Sequence, residues 1–281
     1  MSAPSRVGVL GGGRMGSGIA HAFALAGAEV VIVEADETAA AAARGRIAEL
    51  LGESRRREVP GVEAAIARLA VEVGAAAFAG CELVVEAVPE IPELKADALR
   101  MIETQLSDDA WIATNTSSLS IASLARALDR PDRFCGLHFF NPVPASALVE
   151  IVRGPQTDSA LIERARGWVE LLGKTPIVAS DTPGFASSRL GIILFLEAVR
   201  MVADGVASAE DIDTAMVLGY RHQTGPLRTA DLVGLDVRLA IADYLEGELG
   251  ERFRAPALLR SMVARGELGK KSGVGFYTWG K

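Results

Sequence analysis

Short, mostly apolar runs recur through the first two-thirds of the chain, several followed by stretches with helical spacing. Val7-Gly8-Val9-Leu10 opens the series. Further runs at 30–34, 83–86, 111–114, 134–138, 148–152 and 175–178 predict strands, and the segments at 15–26, 92–106 and 161–172 predict helices between them. Asp36 stands where it can cap an Ala-rich helix after the second strand. A strand that is apolar at every position is covered on both faces, as parallel strands are when helices pack above and below them. The pattern changes at Asp181-Thr182-Pro183-Gly184, where Pro and Gly interrupt the helical period. Beyond that point helices are predicted almost throughout, at about 187–203, 209–218, 237–249 and 256–265. The expected architecture is α/β: a doubly wound, mostly parallel sheet over residues 1–182, then an all-α C-terminal domain over residues 183–281.

A length of 281 residues suits two such modest domains. Apolar residues at 49% and charged residues at 23% are the profile of a globular chain. The net charge of −7 offers no basic field for a nucleic acid, so an anionic ligand would need a local cationic site. No run approaches the roughly 18–20 apolar residues of a membrane span, and the N-terminus lacks the pattern of a secretory signal. Cys81 and Cys135 are too few for a disulfide framework and lack basic neighbours in sequence that would activate a thiol. Two reduced, buried cysteines in a cytoplasmic protein are expected.

Gly11-Gly12-Gly13-Arg14-Met15-Gly16 follows the first predicted strand and opens the first predicted helix. Gly-x-Gly-x-x-Gly in that context is the phosphate turn of a Rossmann-type dinucleotide site. Gly11 makes the tight turn, Gly13 lets main-chain amides approach a pyrophosphate, and Gly16 lets helix and sheet pack closely. Met15 lies in the same turn, and the positive end of the helix faces the phosphates. Glu34 closes the second strand, where a carboxylate accepts hydrogen bonds from a ribose and repels a 2′-phosphate. The expected cofactor is NAD rather than NADP. No metal ion is expected.

A second cluster, Gly136-Leu137-His138-Phe139-Phe140-Asn141-Pro142, is followed by Glu150. His138 ends a predicted strand, at the edge where doubly wound sheets place their ligands. A hydroxyl oxidised by NAD loses a proton as its hydride leaves, and an imidazole, with an ordinary pKa of about 6.5, exchanges protons in both directions. A carboxylate on the other ring nitrogen would fix the tautomer, and Glu150 is the candidate. From spacing alone a structural histidine is an equal reading. Thr114-Asn115-Thr116-Ser117-Ser118 ends another strand at the same edge and offers donors to a reacting oxygen. A capping role for Ser117 or Ser118 on the next helix is as natural.

Taken in order, the glycine turn, Glu86-Ala87-Val88-Pro89-Glu90, Asn115-Thr116-Ser117-Ser118-Leu119, the His-Phe-Phe-Asn-Pro segment, Asp181-Thr182-Pro183-Gly184-Phe185 and Gly269-Lys270-Lys271-Ser272-Gly273 resemble the L-3-hydroxyacyl-CoA dehydrogenases, most closely the short bacterial 3-hydroxybutyryl-CoA type. The resemblance covers nearly the whole chain. It implies that His138 is the general base, Glu150 its carboxylate partner, and Ser117 the residue bonded to the reacting oxygen. Glu90 and Lys95 are implied as cofactor-side residues, Asn115 as a neighbour of the nicotinamide, and Asn141 as a shaper of the substrate pocket. It also implies a homodimer built through the helical domain.

Two segments depart from the family pattern. Ser188 in Pro183-Gly184-Phe185-Ala186-Ser187-Ser188-Arg189-Leu190 stands where the family carries an active-site Asn. A hydroxyl offers one donor close to the backbone, where an amide reaches further with two. Gln223-Thr224-Gly225-Pro226 likewise replaces Pro-Met-Gly-Pro. The thioester handle needs cations for its phosphates. Arg55 and Arg56, in Arg55-Arg56-Arg57, are candidates for a coenzyme A site, against the plain reading of a solvated basic turn. The same chemistry on an acyl carrier protein, and a non-catalytic NAD-binding protein, are the alternatives.

Overall fold

The computed structural model describes residues 4–280. The chain divides into two compact units, Met1–Thr182 and Pro183–Lys281. The first unit is built on one eight-stranded sheet: β1 (Arg6–Leu10), β2 (Glu29–Glu34), β3 (Leu69–Val73), β4 (Leu83–Glu86), β5 (Trp111–Thr114), β6 (Phe134–Phe139), β7 (Leu148–Arg153) and β8 (Thr175–Ser180). Its strand order is β3-β2-β1-β4-β5-β6-β7-β8. The first six strands therefore lie in the 3-2-1-4-5-6 order of the doubly wound dinucleotide fold. The central strands β4 and β5 are buried at every residue, and each reads as an apolar triplet, Leu83-Val84-Val85 and Trp111-Ile112-Ala113, closed by one polar residue.

The helices of this unit are α1 (Arg14–Leu25), α2 (Glu37–Arg56), α3 (Val62–Ala67), α4 (Pro92–Glu103), α5 (Ile121–Ala125) and α6 (Ser159–Leu171). Asp36 caps α2 by accepting from the Ala39 amide at 2.8 Å. The cap of α5 is Ser120, which accepts from the Ser123 amide, and not Ser117 or Ser118. Small residues on α1 and α2, Ala20, Ala24, Ala40 and Ala43, are fully buried and let both helices lie close to the sheet.

The sequence pattern did not indicate two features of the sheet. β3 is an edge strand with only Val71 buried, so it has no apolar run to announce it. β7 pairs antiparallel with β6, and all other neighbours are parallel. The link at residues 140–147 is too short for the crossover that parallel pairing needs, so the chain turns straight back.

The second unit contains α7 (Ser187–Ala203), α8 (Ala209–Thr214), α9 (Pro226–Val233), α10 (Leu235–Leu249) and α11 (Ala257–Ala264). Its core gathers Ile192, Phe195, Leu196, Leu227, Leu245 and Leu259. Two buried carboxylates tie its ends together. Asp213 accepts from the Leu227 and Arg228 amides at the start of α9, at 2.9 and 2.8 Å. Asp231, from the end of the same helix, accepts from the Phe276 and Tyr277 amides and from Trp279 Nε1, at 3.0, 2.9 and 2.9 Å.

Candidate active site and cofactor cleft

The glycine turn follows β1. Gly11 adopts φ +91°, a region open to glycine. A Cβ on Gly16 would lie 1.8 Å from the Gly11 carbonyl oxygen, so helix and turn meet there with no room for a side chain. A Cβ on Gly13 would meet nothing within 4 Å, because that residue faces an open cleft. The cleft has a volume of about 950 Å³, and Gly11, Gly13, Met15, Glu34, Arg14 and Arg46 line its phosphate and ribose end. The Glu34 carboxylate is already aimed, because its Oε1 accepts from the Gly12 amide at 2.7 Å. Arg46 Nε donates to the Gly12 carbonyl at 2.7 Å and places a cation beside the turn. A bare glycine facing a cleft, a helix N-terminus and an oriented carboxylate fit a dinucleotide.

The carboxyl ends of β4 and β5 carry a second constellation. Glu86, 0% exposed, accepts from Lys95 Nζ at 2.7 and 3.0 Å, from Thr114 Oγ1 at 2.6 Å and from the Val88 amide at 2.7 Å. Lys95, 1% exposed, reaches it from α4 and also donates to the Val88 carbonyl at 3.1 Å. Its ammonium lies 3.4 Å from Glu90, whose side chain is 36% exposed. Glu90 Oε1 accepts from Thr116 Oγ1 at 2.6 Å, from the Ser117 and Ser118 amides at 2.9 and 3.1 Å, and from their hydroxyls at 3.3 and 3.1 Å. Burial alone would push the Glu90 carboxyl up. Lys95 and these donors outweigh it and hold the group below the usual carboxylate value. Ser117 and Ser118 thus belong to a turn shaped around Glu90.

His138 lies near the carboxyl end of β6, one strand beyond β5. The antiparallel register sets it directly opposite Glu150 on β7, so both side chains emerge on one face of the sheet. His138 Nδ1 and Glu150 Oε2 are 2.7 Å apart, and both residues are buried. The Phe140 ring packs against the imidazole with centroids 4.5 Å apart. Asn115 Oδ1 accepts from the Phe139 amide at 2.9 Å and ties the end of β5 to the strand that carries His138. Asn141 is exposed on the link between β6 and β7. Lys174 Nζ pins that link by donating to the Val143 and Ser146 carbonyls at 2.6 and 2.5 Å.

The basic triplet at the end of α2 divides. Arg55 pairs with Glu63 through two bonds of 2.7 Å, and Arg57 pairs with Glu53. Arg56 makes no ion pair among the described residues and lines a surface cavity of about 570 Å³ together with Arg14, Arg46 and the carboxylates Glu49 and Glu53. Ser188 lies in the second unit as the second residue of α7 and is half-buried. Cys81 lies beside Arg6, a spatial neighbour that the sequence does not reveal. Burial outweighs that cation and raises the thiol. Cys135, wholly enclosed, is pushed up to about 12.

Sequence reasoning passed over Glu86, Arg46 and Lys174. Glu86 left one signal: a carboxylate closing the otherwise apolar run Leu83-Val84-Val85. Arg46 and Lys174 left none, because each acts on a main-chain carbonyl remote in sequence.

The sheet order, the glycine turn and the oriented Glu34 define a dinucleotide-binding protein of the doubly wound class. Comparison with known proteins narrows that class. The profile of the 3-hydroxyacyl-CoA dehydrogenase NAD binding domain matches residues 6–182, and that of the 3-hydroxyacyl-CoA dehydrogenase C-terminal domain matches residues 184–279. A 3-hydroxybutyryl-CoA dehydrogenase of Mycobacterium tuberculosis is 42% identical over 283 residues, covering 98% of each chain. A probable 3-hydroxybutyryl-CoA dehydrogenase of Deinococcus radiodurans is 40% identical over 277 residues, covering 98% of this chain and 100% of that one. The crystal structure of (S)-3-hydroxybutyryl-CoA dehydrogenase from Ralstonia eutropha superposes with a TM-score of 0.94 at 38% identity, covering 99% of this chain and 100% of that chain. The chain belongs to the 3-hydroxyacyl-CoA dehydrogenase family, and its cofactor is NAD. No helix among the described residues is long and apolar enough to cross a membrane.

Proposed function

We propose that this enzyme interconverts a short-chain L-3-hydroxyacyl-CoA and its 3-oxoacyl-CoA, with His138 and Glu150 as the base pair. The observation that carries the reading is the 2.7 Å contact between His138 Nδ1 and Glu150 Oε2, made by two buried side chains at the cofactor edge of the sheet. A carboxylate can only accept, so Nδ1 holds the ring proton and Nε2 is the basic nitrogen. NAD, when bound, would supply the acceptor for the hydride that leaves C3. Nε2 takes the hydroxyl proton in that direction and returns it in the other, while Glu150 stabilises the imidazolium formed in between. Ser117 bonds the reacting oxygen, Asn115 orients the nicotinamide, and Asn141 shapes the acyl pocket.

Coenzyme A phosphates are assigned to the cavity beside Arg56, which Arg14 and Arg46 also line; Arg55, paired with Glu63, is the weaker candidate. Leu190, Leu218 and Tyr220, at 68%, 76% and 75% exposure, support a homodimer formed through the helical unit. The two buried cysteines support a cytoplasmic setting.

The test is NADH consumption with acetoacetyl-CoA, with the same acyl group on a carrier protein, and with free acetoacetate. Turnover on the CoA thioester, at a kcat/KM at least tenfold above the other two, is expected. A preference for the carrier-bound group would transfer the chemistry to that handle. Absence of turnover on all three would refute the reading.

A further inference from the structure

The cluster at the ends of β4 and β5 is unequal in charge. Every partner of Glu86 is a donor, and so is every hydrogen-bond partner of Glu90, so both groups are carboxylates. Lys95 lies between them, and no other Lys or Arg pairs with either among the described residues. Two carboxylates and one ammonium leave one negative charge, partly shielded from water. Its place in the sheet matters. A doubly wound sheet binds one nucleotide on each half, and the glycine turn and Glu34 on β1 and β2 take the adenosine half. The ends of β4 and β5 therefore belong to the half that takes nicotinamide. That ring is cationic when oxidised and neutral when reduced.

We propose that the Glu86–Lys95–Glu90 cluster discriminates between the oxidation states of the cofactor, strengthening binding of NAD+ relative to NADH. The proposal rests on the NAD reading and adds to it a cause for the affinity ratio. By linkage, the same charge makes bound NADH a stronger hydride donor than it would be in a neutral site. Hydrogen bonding alone has no such effect, because it holds both forms of the cofactor alike.

The experiment measures two dissociation constants on the full-length protein, NADH by its fluorescence and NAD+ by competition against NADH. Glu90→Gln removes the charge and keeps the size. The ratio Kd(NAD+)/Kd(NADH) is expected to rise about fivefold, the order of magnitude of one partly screened charge. Glu90→Asp keeps the charge, and its ratio should stay within about twofold of wild type. An unchanged ratio in Glu90→Gln, including equal weakening of both forms, would overturn the proposal, as would an Asp variant that behaves like Gln. Failure of the wild-type protein to bind either form would instead overturn the NAD reading itself.

Discussion

Replacing Glu150 with Gln exchanges one carboxylate oxygen for an amide NH2 and removes a buried charge 2.7 Å from His138 Nδ1. The loss falls on the step in which the imidazole becomes positive. With the two charge centres about 4 Å apart and an effective dielectric of ~20, the carboxylate contributes roughly 4 kcal/mol to the imidazolium. If about half the proton has moved at the transition state, half of that is lost. The expected drop in kcat therefore lies between about 30-fold and about 1,000-fold at ~1.4 kcal/mol per decade. The amide also brings a donor toward Nδ1, which moves the ring proton to Nε2 and removes the base. Neither effect touches the glycine turn, so the Kd for NADH should stay within about twofold and serves as a check on folding. The assay is steady-state NADH consumption with saturating acetoacetyl-CoA. A kcat within threefold of wild type would refute the assignment of Glu150 and leave His138 a structural histidine.

Other expectations follow from the same geometry. Gly13→Ala should fold with little change in melting temperature, since the new Cβ meets nothing within 4 Å, yet weaken NADH binding at least tenfold by filling the cofactor's approach. Gly16→Ala should lose at least about 2–3 kcal/mol of stability, because its Cβ falls 1.8 Å from a carbonyl oxygen; urea unfolding of the two variants side by side decides between crowding and cofactor contact. Lys95→Met strands the buried Glu86 carboxylate and should cost about 3–5 kcal/mol in the same assay, with wild-type-like stability as the contrary result. His21 is buried against Ser54, and burial, assisted by the charge of Lys174, lowers its pKa below the ordinary 6.5. The unfolded chain then takes up a proton below pH ~6.5 that the folded one refuses, so stability should fall as the pH drops through that range. His21→Asn should flatten that slope, and parallel pH profiles of melting temperature would contradict it.

The fold was legible wherever burial is complete. Strands β4 and β5, covered on both faces, appear in the sequence as apolar triplets closed by Glu86 and Thr114, and the break at Pro183-Gly184 coincides with the end of the first compact unit. β3 escaped because an edge strand with one buried residue carries too little periodicity. The reversal of β7 depends on the length of the link before it rather than on any residue type. At the site, glycines and a strand-ending histidine announce themselves because few residues serve those roles. The pairing of His138 with Glu150 needed the antiparallel register to bring the two together. Contacts to main-chain carbonyls, such as Arg46 on Gly12 and Lys174 on Val143 and Ser146, leave no sequence signal, since any residue supplies a carbonyl.

In the proposed mechanism one imidazole carries the proton of a thioester-linked 3-hydroxyl. The most direct measurement is NADH consumption with acetoacetyl-CoA by the wild-type protein beside His138→Asn, with NADH binding followed in both. Robust wild-type turnover, at least a 1,000-fold loss in the variant, and NADH affinity preserved in each are the expected results. A variant that kept a tenth of the wild-type rate would contradict the mechanism.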